Sequence, residues 1–165
     1  NAGTFNTKKT ELEIYQDYAL IKTKKQKLST RLIGEKFPDY ESVVPEENPN
    51  TTKIQTESLL AVIKRVSLMS NKTTKQVVLK IKDNKITVSS EVHETGGSAI
   101  DETEAQHKGK EITIGFNGTL LLEILKHQKT KEIELLTDTQ LSAMLIKQQG
   151  EQETETTTLL MPIRI

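Results

Sequence analysis

The sequence has 165 residues, of which 34% are hydrophobic and 28% charged, and this length suffices to bury a core without metal ions or cross-links. It contains no cysteine, which excludes disulfides and thiolate chemistry, and no apolar stretch approaches the length that spans a bilayer. The 23 basic residues balance 23 acidic ones. Nucleic-acid binding through bulk positive charge is therefore excluded, although a local basic face is not.

The first 36 residues show a β-rich pattern. Apolar and polar residues alternate over residues 11–15, 18–22 and 27–33, and polar turns separate the three runs. Three strands without a helix make a weak domain by themselves. The opening residues, Asn1 to Gly3, resemble the scar of a cleaved tag or an internal cut. We therefore expect residues 1–36 to be the end of a larger sheet in a truncated chain.

A linker is predicted over residues 37–52. Pro38, Pro45 and the Asn48-Pro49 step favour extended backbone. The stretch that follows Pro45 is polar. This composition indicates a domain boundary between the first strands and the rest of the chain.

From residue 53 onward, one arrangement of predicted elements occurs twice. In the first copy a short strand leads into a helix over residues 57–70, for which Thr56 is a candidate N-cap. In the second copy a strand over residues 111–116 leads into a helix that Asn117 caps and that ends at His127. Three strands follow each helix, over residues 76–82, 85–89 and 98–106 in the first copy and 131–136, 141–146 and 157–165 in the second.

This repetition predicts an α+β fold class. Two βαβββ units in one domain favour two helices packed on one side of antiparallel sheet, with internal pseudo-symmetry. The Asp83-Asn84 dipeptide is typical of a two-residue hairpin turn within the first copy.

Catalytic signals are weak in this sequence. His93, His107 and His127 are far apart and lack the spacing of metal ligands. There is no Gly-rich phosphate loop and no nucleophile motif. We therefore expect no catalytic residues, no metal and no cofactor. A binding protein is a better interpretation of this sequence than an enzyme.

Four short motifs occur in order: FPDY at residues 37–40, RVSLMSN at 65–71, IGFN at 114–117 and LMPIRI at 160–165. Together with the repeat, this set resembles the bacterial DNA sliding clamp, the β subunit of DNA polymerase III, from about Phe5 to Ile165. The resemblance implies the DNA-clamp fold and a C-terminal fragment of such a chain. Residues 1–36 would then be the last strands of the middle domain, residues 37–52 a linker and residues 53–165 the third domain.

The resemblance also implies a function without catalysis. Clamps of this family are cytoplasmic processivity factors, in which two full-length chains close into a homodimeric ring around duplex DNA. They recruit the α subunit of DNA polymerase III, clamp-loader subunits, other polymerases and repair proteins. The first domain, which contacts the third domain of the neighbouring subunit, has no counterpart in this sequence, so this fragment should not close the ring.

A peptide-binding groove is the first site that the resemblance implies. An apolar pocket between the middle and third domains takes aliphatic and aromatic anchors of partner peptides. Two positions depart from the family pattern, because Leu120 replaces an aromatic residue and Ser42 a basic one. Polar residues near 140–142 adjoin the groove, and its matched positions are Pro38, Val43, Asn117, Leu120, Leu159, Met161, Pro162, Ile163 and Arg164.

Two charged surfaces are implied as well. Basic residues of the helices would face DNA phosphates, and the subunit interface would combine an apolar corner with an acidic strand. The DNA-facing residues are Lys64, Arg65, Lys126 and Lys129, and the interface residues are Leu68, Met69, Glu94, Asp101, Glu102 and Glu104.

The residue patterns alone also fit ordinary structural roles. Residues 159–163 fit a last core strand, and Asn117 fits a helix N-cap. The lysines fit a solvated helix face, the apolar pair at 68–69 fits a core, and the acidic residues fit a solvated edge strand. The alternative function is therefore an α+β peptide-binding domain with no DNA role.

Overall fold

The structure, a computed structural model, describes residues 9–37, 39–45, 47–92, 96–149 and 156–165. The chain divides into two compact units, an N-terminal unit that ends at Asp39 and a C-terminal unit that begins at Tyr40. The opening tripeptide, Pro38, His93 and Glu94, for which predictions were made, lie outside the described residues.

The N-terminal unit is a three-stranded antiparallel sheet. Its strands, β1 (Glu11–Ile14), β2 (Tyr18–Lys22) and β3 (Lys27–Arg31), pair in chain order, which confirms the three strands predicted from alternation. Ala19 is buried, whereas Leu12 and Ile14 keep 59% and 70% of their surface exposed. A sheet with so little buried surface gains little stability from its own packing.

The linker contains one helical turn. A 3-10 turn covers Glu41–Val43, and the next strand begins at Asn50, three residues earlier than predicted. The prediction of a wholly extended linker is therefore wrong over this turn, in which the Val43 N–H donates to the Tyr40 carbonyl at 3.2 Å.

The C-terminal unit contains both predicted copies. The first comprises β4 (Asn50–Gln55), α1 (Thr56–Ser67), β5 (Gln76–Lys82), β6 (Lys85–Val92) and β7 (Gly97–Glu104). A short strand, β8 (Gln106–Lys108), follows it. The second comprises β9 (Ile112–Asn117), α2 (Gly118–Lys126), β10 (Glu132–Thr137), β11 (Met144–Gln148) and β12 (Thr157–Leu160).

The two copies exchange their first strands. One sheet has the order β12-β11-β10-β4-β8 and the other has the order β7-β6-β5-β9. Each copy's three consecutive strands are thus extended by the first strand of the other copy, through the antiparallel pairs β10–β4 and β5–β9. The duplicated α+β prediction is confirmed, and the antiparallel strands form two sheets rather than one.

Both helices and both sheets share one core. Leu59 and Ile63 of α1, Leu121 and Leu125 of α2, and Phe116 of β9 are all almost completely buried in it. Burying an aliphatic or aromatic side chain of this size contributes roughly 1.5–3 kcal/mol. The helical spacing of apolar residues in each copy therefore builds a common interior.

The two helices begin differently. Asn117 caps α2, because its Oδ1 accepts hydrogen bonds from the N–H groups of Thr119 at 3.0 Å and Leu120 at 3.2 Å, as predicted. Thr56 does not cap α1, so that prediction is wrong. Its hydroxyl instead donates to the carbonyl of Thr130 at 2.9 Å, which ties α1 to the segment after α2.

The hairpin between β5 and β6 confirms the predicted turn. Asp83 and Asn84 have φ angles of 49° and 60°, as a two-residue type I′ turn requires. The side chain of Asn84 also accepts a hydrogen bond from the His107 N–H at 2.8 Å. The turn is therefore linked to the start of β8.

Candidate functional site

The C-terminal strap, defined as residues 159–165, connects the outer edges of the two sheets. Its first two residues belong to β12, where Leu160 lies opposite Met144 of β11 and is buried. Beyond Pro162 the chain changes sheet, and the Ile163 N–H donates to the carbonyl of Gly115 in β9 at 2.8 Å. Met161 lies between these two attachments and keeps 50% of its surface exposed.

A cleft of about 460 Å³ adjoins the strap within the C-terminal unit. Four apolar side chains that line it are exposed, and Val43, Val44, Leu141 and Met161 keep 41%, 38%, 63% and 50% of their surface accessible. Concave, accessible apolar surface of this kind is typical of a site for a partner or ligand. The cleft is lined by Ser42, Val43, Val44, Pro45, Glu47, Pro49, Asp138, Leu141, Ser142, Ala143 and Met161.

Local hydrogen bonds order the loop that carries Leu141. The hydroxyl of Thr139 accepts from the N–H groups of Leu141 at 3.3 Å and Ser142 at 3.1 Å. The side-chain amide of Asn50 donates to the Asp138 carbonyl at 3.2 Å and joins this loop to β4. These polar contacts therefore hold the loop that carries Leu141.

The cleft brings together only part of the predicted groove. Val43 and Met161 line it, together with Ser42 and Ser142, which the sequence placed nearby. Asn117 and Leu120 lie at the start of α2, and Leu120 is 48% exposed. The remaining described positions lie along the strap, where Leu159, Pro162 and Ile163 are half-buried and Arg164 lines a second cleft of about 370 Å³.

Sequence reasoning missed Leu141 as a site residue. The prediction placed it in a strand over residues 141–146, which is wrong at its start, since β11 begins at Met144. The spacing of Thr139 and Ser142, whose hydroxyls are 2.6 Å apart, was the available signal for a turn. A leucine in such a turn is exposed rather than buried.

The basic residues of the helices are exposed. Lys64 and Arg65 lie in the last turn of α1, Lys126 ends α2, and Lys129 follows it. Arg65 is not a free cation, because its Nε lies 2.6 Å from Oδ2 of Asp101 on β7. The guanidinium group holds the pKa of the Asp101 carboxyl below its usual value, with help from the Glu102 N–H.

The acidic strand β7 forms an edge of its sheet and carries further ion pairs. Lys85 Nζ lies 2.8 Å from Oε1 of Glu102, and this contact raises the pKa of Lys85. Glu104 is exposed. At the end of α1, Leu68 and Met69 expose 81% and 42% of their surface, so the core role that their pattern also allowed is wrong.

The described residues contain no group of three or more His, Asp or Glu side chains that could hold a metal ion. In the same ranges no helix has the length and apolar character needed to cross a membrane.

The exchanged βαβββ copies, with both helices in one core, define a clamp-type α+β domain. The family model for the DNA polymerase III beta subunit, C-terminal domain, matches residues 41–164, and the chain therefore belongs to this family.

Similar proteins extend this match into the N-terminal unit. The beta sliding clamp of Haemophilus influenzae is 28% identical over 162 residues, covering 97% of this chain and 43% of that protein. The DNA polymerase III beta subunit of Thermotoga maritima has a TM-score of 0.81 at 26% identity, covering 97% of this chain and 43% of its own. The chain thus spans less than half the length of these relatives.

A third relative agrees in fold alone. The Pseudomonas aeruginosa sliding clamp solved with griselimycin bound has a TM-score of 0.82 at 21% identity, and the match covers 94% of this chain and 42% of that one.

Proposed function

We propose that this chain is the C-terminal part of a bacterial DNA sliding clamp and that it acts by binding rather than by catalysis. The family match over residues 41–164 carries this proposal. In the full-length protein, two chains would close a ring around duplex DNA and hold the replicative polymerase on its template by topology. Such a tether needs no strong or sequence-specific contact to DNA.

The same family supports a proposed domain assignment. Residues 1–36 would be the last strands of the middle clamp domain, residues 37–52 a linker, and residues 53–165 the third domain. The division of the chain after Asp39 supports this assignment.

The cleft supports a peptide groove in the C-terminal unit. An aliphatic or aromatic anchor of a partner would cover Val43, Leu141 and Met161 and release water from them. Each buried anchor contributes roughly 1.5–3 kcal/mol. Ser42 and Ser142 at the rim offer polar groups that fix the peptide's orientation. Polymerase, clamp-loader and repair proteins would compete for this groove.

The DNA-facing surface would use the exposed lysines of the helix ends, Lys64, Lys126 and Lys129. Each phosphate neutralised adds about 0.9 to the slope of log affinity against log salt concentration. Arg65 contributes less free charge, because Asp101 already neutralises it. Contacts of this kind are weak enough for the ring to slide.

The subunit interface would use the edge strand β7 together with Leu68 and Met69. An open strand edge pairs readily with another strand, and exposed apolar residues beside it gain from being covered. Glu104 offers an exposed acidic group there, and Glu94 belongs to the same proposal.

The test of the tether uses the full-length gene product on primed circular DNA and on the same DNA made linear. The protein should stay on the circle through gel filtration and leave the linear form, because only a closed circle retains a ring. Equal loss from both forms would overturn the clamp proposal. Peptide binding that persists despite equal loss would favour a peptide-binding domain without a DNA role.

The test of the groove replaces Leu159 and Met161 together by alanine in a full-length protein. Affinity for a fluorescein-labelled peptide with one leucine and one phenylalanine anchor should fall by about tenfold or more, equivalent to about 1.4 kcal/mol. An excess of the same peptide without its label serves as the competitor.

The matched control for this test is Leu12→Ala. Leu12 is an apolar residue on β1 that is 59% exposed and does not line the cleft. This variant should bind the peptide as the wild type does. Unchanged affinity in the double variant, with an unfolding midpoint like that of the control, would remove the groove.

A further inference from the structure

Gly115 lies where the C-terminal strap crosses β9. It is buried in the middle of that strand, and its carbonyl accepts the Ile163 N–H at 2.8 Å. A Cβ atom at this position would lie 2.5 Å from Cγ2 of Ile165 and 2.8 Å from the carbonyl oxygen of Ile163. The strap therefore occupies the space that any other residue at position 115 would need.

The requirement for glycine here comes from space rather than from backbone conformation. Gly115 does not have the positive φ that Gly96 and Gly109 have. Glycine inside a strand weakens it and often marks the close approach of another backbone. The close approach in this case is that of Ile163.

Gln76 of β5 provides a second attachment. Its side-chain Nε2 donates to the carbonyl of Arg164 at 3.1 Å. The same Nε2 would lie 3.2 Å from a Cβ at Gly115. Three consecutive residues of the strap, 163–165, thus contact the sheet at one place.

Met161 and Pro162 span the interval between this place and β12. On one side Leu160 is paired with β11 and buried, and on the other Ile163 is paired with β9. The proline ring fixes one backbone angle of the span. Because both ends are held, the position of Met161 in the cleft depends on the seating at Gly115.

We propose that Gly115 is a positioning residue for partner binding: its missing side chain lets the strap seat on β9, and this seating holds Met161 in the cleft for a partner's apolar anchor. The inference rests on the proposed peptide groove and adds a residue that does not line the cleft. Gln76 supports the same seating through its contact with Arg164.

The experiment uses Gly115→Ala in the full-length protein, with Gly34→Ala as matched control, since no atom of the described residues lies within 4 Å of a Cβ at position 34. Hydrogen exchange of the Ile163 amide reports the seating, and the labelled leucine–phenylalanine peptide reports binding. If only one molecule in ten has the strap seated, affinity should fall about tenfold, and the Ile163 amide should lose nearly all of its protection.

Two further variants separate positioning from loss of stability. Adding Ile165→Ala to Gly115→Ala removes the nearer of the two clashes and should restore part of both the protection and the affinity. Ile86→Val alters a buried residue of β6 away from the strap and should lower the unfolding midpoint while leaving peptide affinity unchanged. The expected pattern for Gln76→Ala is a smaller loss of both signals than for Gly115→Ala.

Unchanged Ile163 protection in Gly115→Ala would overturn the inference, and so would the loss of nearly all protection with unchanged peptide affinity. If Gly115→Ala does not fold, the protection of the Ile163 amide and the peptide affinity are compared in Gln76→Ala and in the Gly115→Ala/Ile165→Ala double variant. A wild-type protein that binds no peptide contradicts the proposed groove instead, and the exchange data then show separately whether Gly115 seats the strap.

Discussion

The two βαβββ copies share one topology and differ in the segment that follows the third strand. After β7 the chain returns as β8 and pairs with β4, the first strand of its own copy. After β12 it returns to bridge β9 at Gly115. The first return is polar, with His107 Nδ1 and the Thr52 hydroxyl 2.9 Å apart. The second carries Met161 and Ile163.

This difference shows how one copy of a duplicated fold can gain a binding site that the other copy lacks. In both copies the return segment covers the open edge of a first strand, so the backbone arrangement is retained. The side chains of the segment are free to differ. In the second copy they place a half-exposed methionine in the lining of the cleft, and the proposed partner site follows from that one change.

The strongest test of the duplication removes one core side chain from each exchanged strand. Ile54 of β4 and Phe116 of β9 are both buried just before their helices begin. Ile54→Ala should lower the free energy of unfolding by about 2–5 kcal/mol and Phe116→Ala by about 3–5 kcal/mol. Urea denaturation with two optical probes measures both losses.

The exchange of strands also predicts that the C-terminal unit unfolds as one. Each variant should keep a single transition at a lower midpoint, because damage to a first strand weakens both sheets. Leu12→Ala in the N-terminal unit, at a largely exposed position, serves as the control and should leave that transition within about 0.5 kcal/mol of the wild type. Separate transitions for the two copies would contradict a shared core.

A smaller effect distinguishes the two helix starts. Asn117→Ala removes the cap of α2 and should cost about 1 kcal/mol, whereas Asn117→Ser should restore most of it. Thr56→Ala should cost about 0.5–1.5 kcal/mol for a different reason, the loss of its hydrogen bond to Thr130. Circular dichroism during urea denaturation measures these losses.

Two further substitutions at position 56 distinguish a capping role from the hydrogen bond to Thr130. Thr56→Asn introduces a preferred cap residue, but it cannot repeat the contact of the threonine hydroxyl with Thr130, so it should not restore stability. Thr56→Ser keeps a hydroxyl that can donate to Thr130, so it should retain most of the wild-type stability. Recovery with asparagine would mean that position 56 acts as a cap after all.

Much of the fold was predictable from local patterns. Alternation marked the strands, helical spacing marked both helices, and the Asp83-Asn84 turn was specific because few residues tolerate two positive φ angles in succession. The exchange of first strands was not predictable in this way. Periodicity says which face of a strand is buried, but not which strand lies beside it.

The sites show the same limit. Thr56 precedes a helix and therefore fits a cap, yet its partner lies 74 residues away at Thr130. Arg65 and Asp101 were assigned to different surfaces, and the fold joins them in one ion pair. In each case the sequence identified a residue suited to a hydrogen bond or an ion pair. The contact it actually makes is with a residue far away in the chain, which local patterns do not reveal.

The smallest expected effect is on how stability depends on pH, and it differs between the edge strands of the two copies. The third strand of the first copy, β7, carries Asp101, whereas its counterpart β12 has the uncharged sequence TTLL. Because Arg65 lowers the pKa of Asp101 in the folded protein, the folded state binds fewer protons than the unfolded chain in that range. The pair therefore stabilises the fold above the ordinary carboxyl value of 3.8, and this contribution is lost as the pH falls through the lower, folded pKa.

Asp101→Asn should accordingly reduce stability at pH 6 and leave it nearly unchanged at the acid end, so that the curve of unfolding free energy against pH becomes flatter. The effect is small, since both groups are partly exposed to solvent, and it should shrink further at 1 M salt. Lys85→Gln provides the opposite case. The raised pKa of Lys85 gives a contribution that is present below its ordinary value of 10.5 and lost as the pH rises through the folded pKa. Equal losses in Asp101→Asn at both pH values would show that the ion pair does not hold the edge of the first copy.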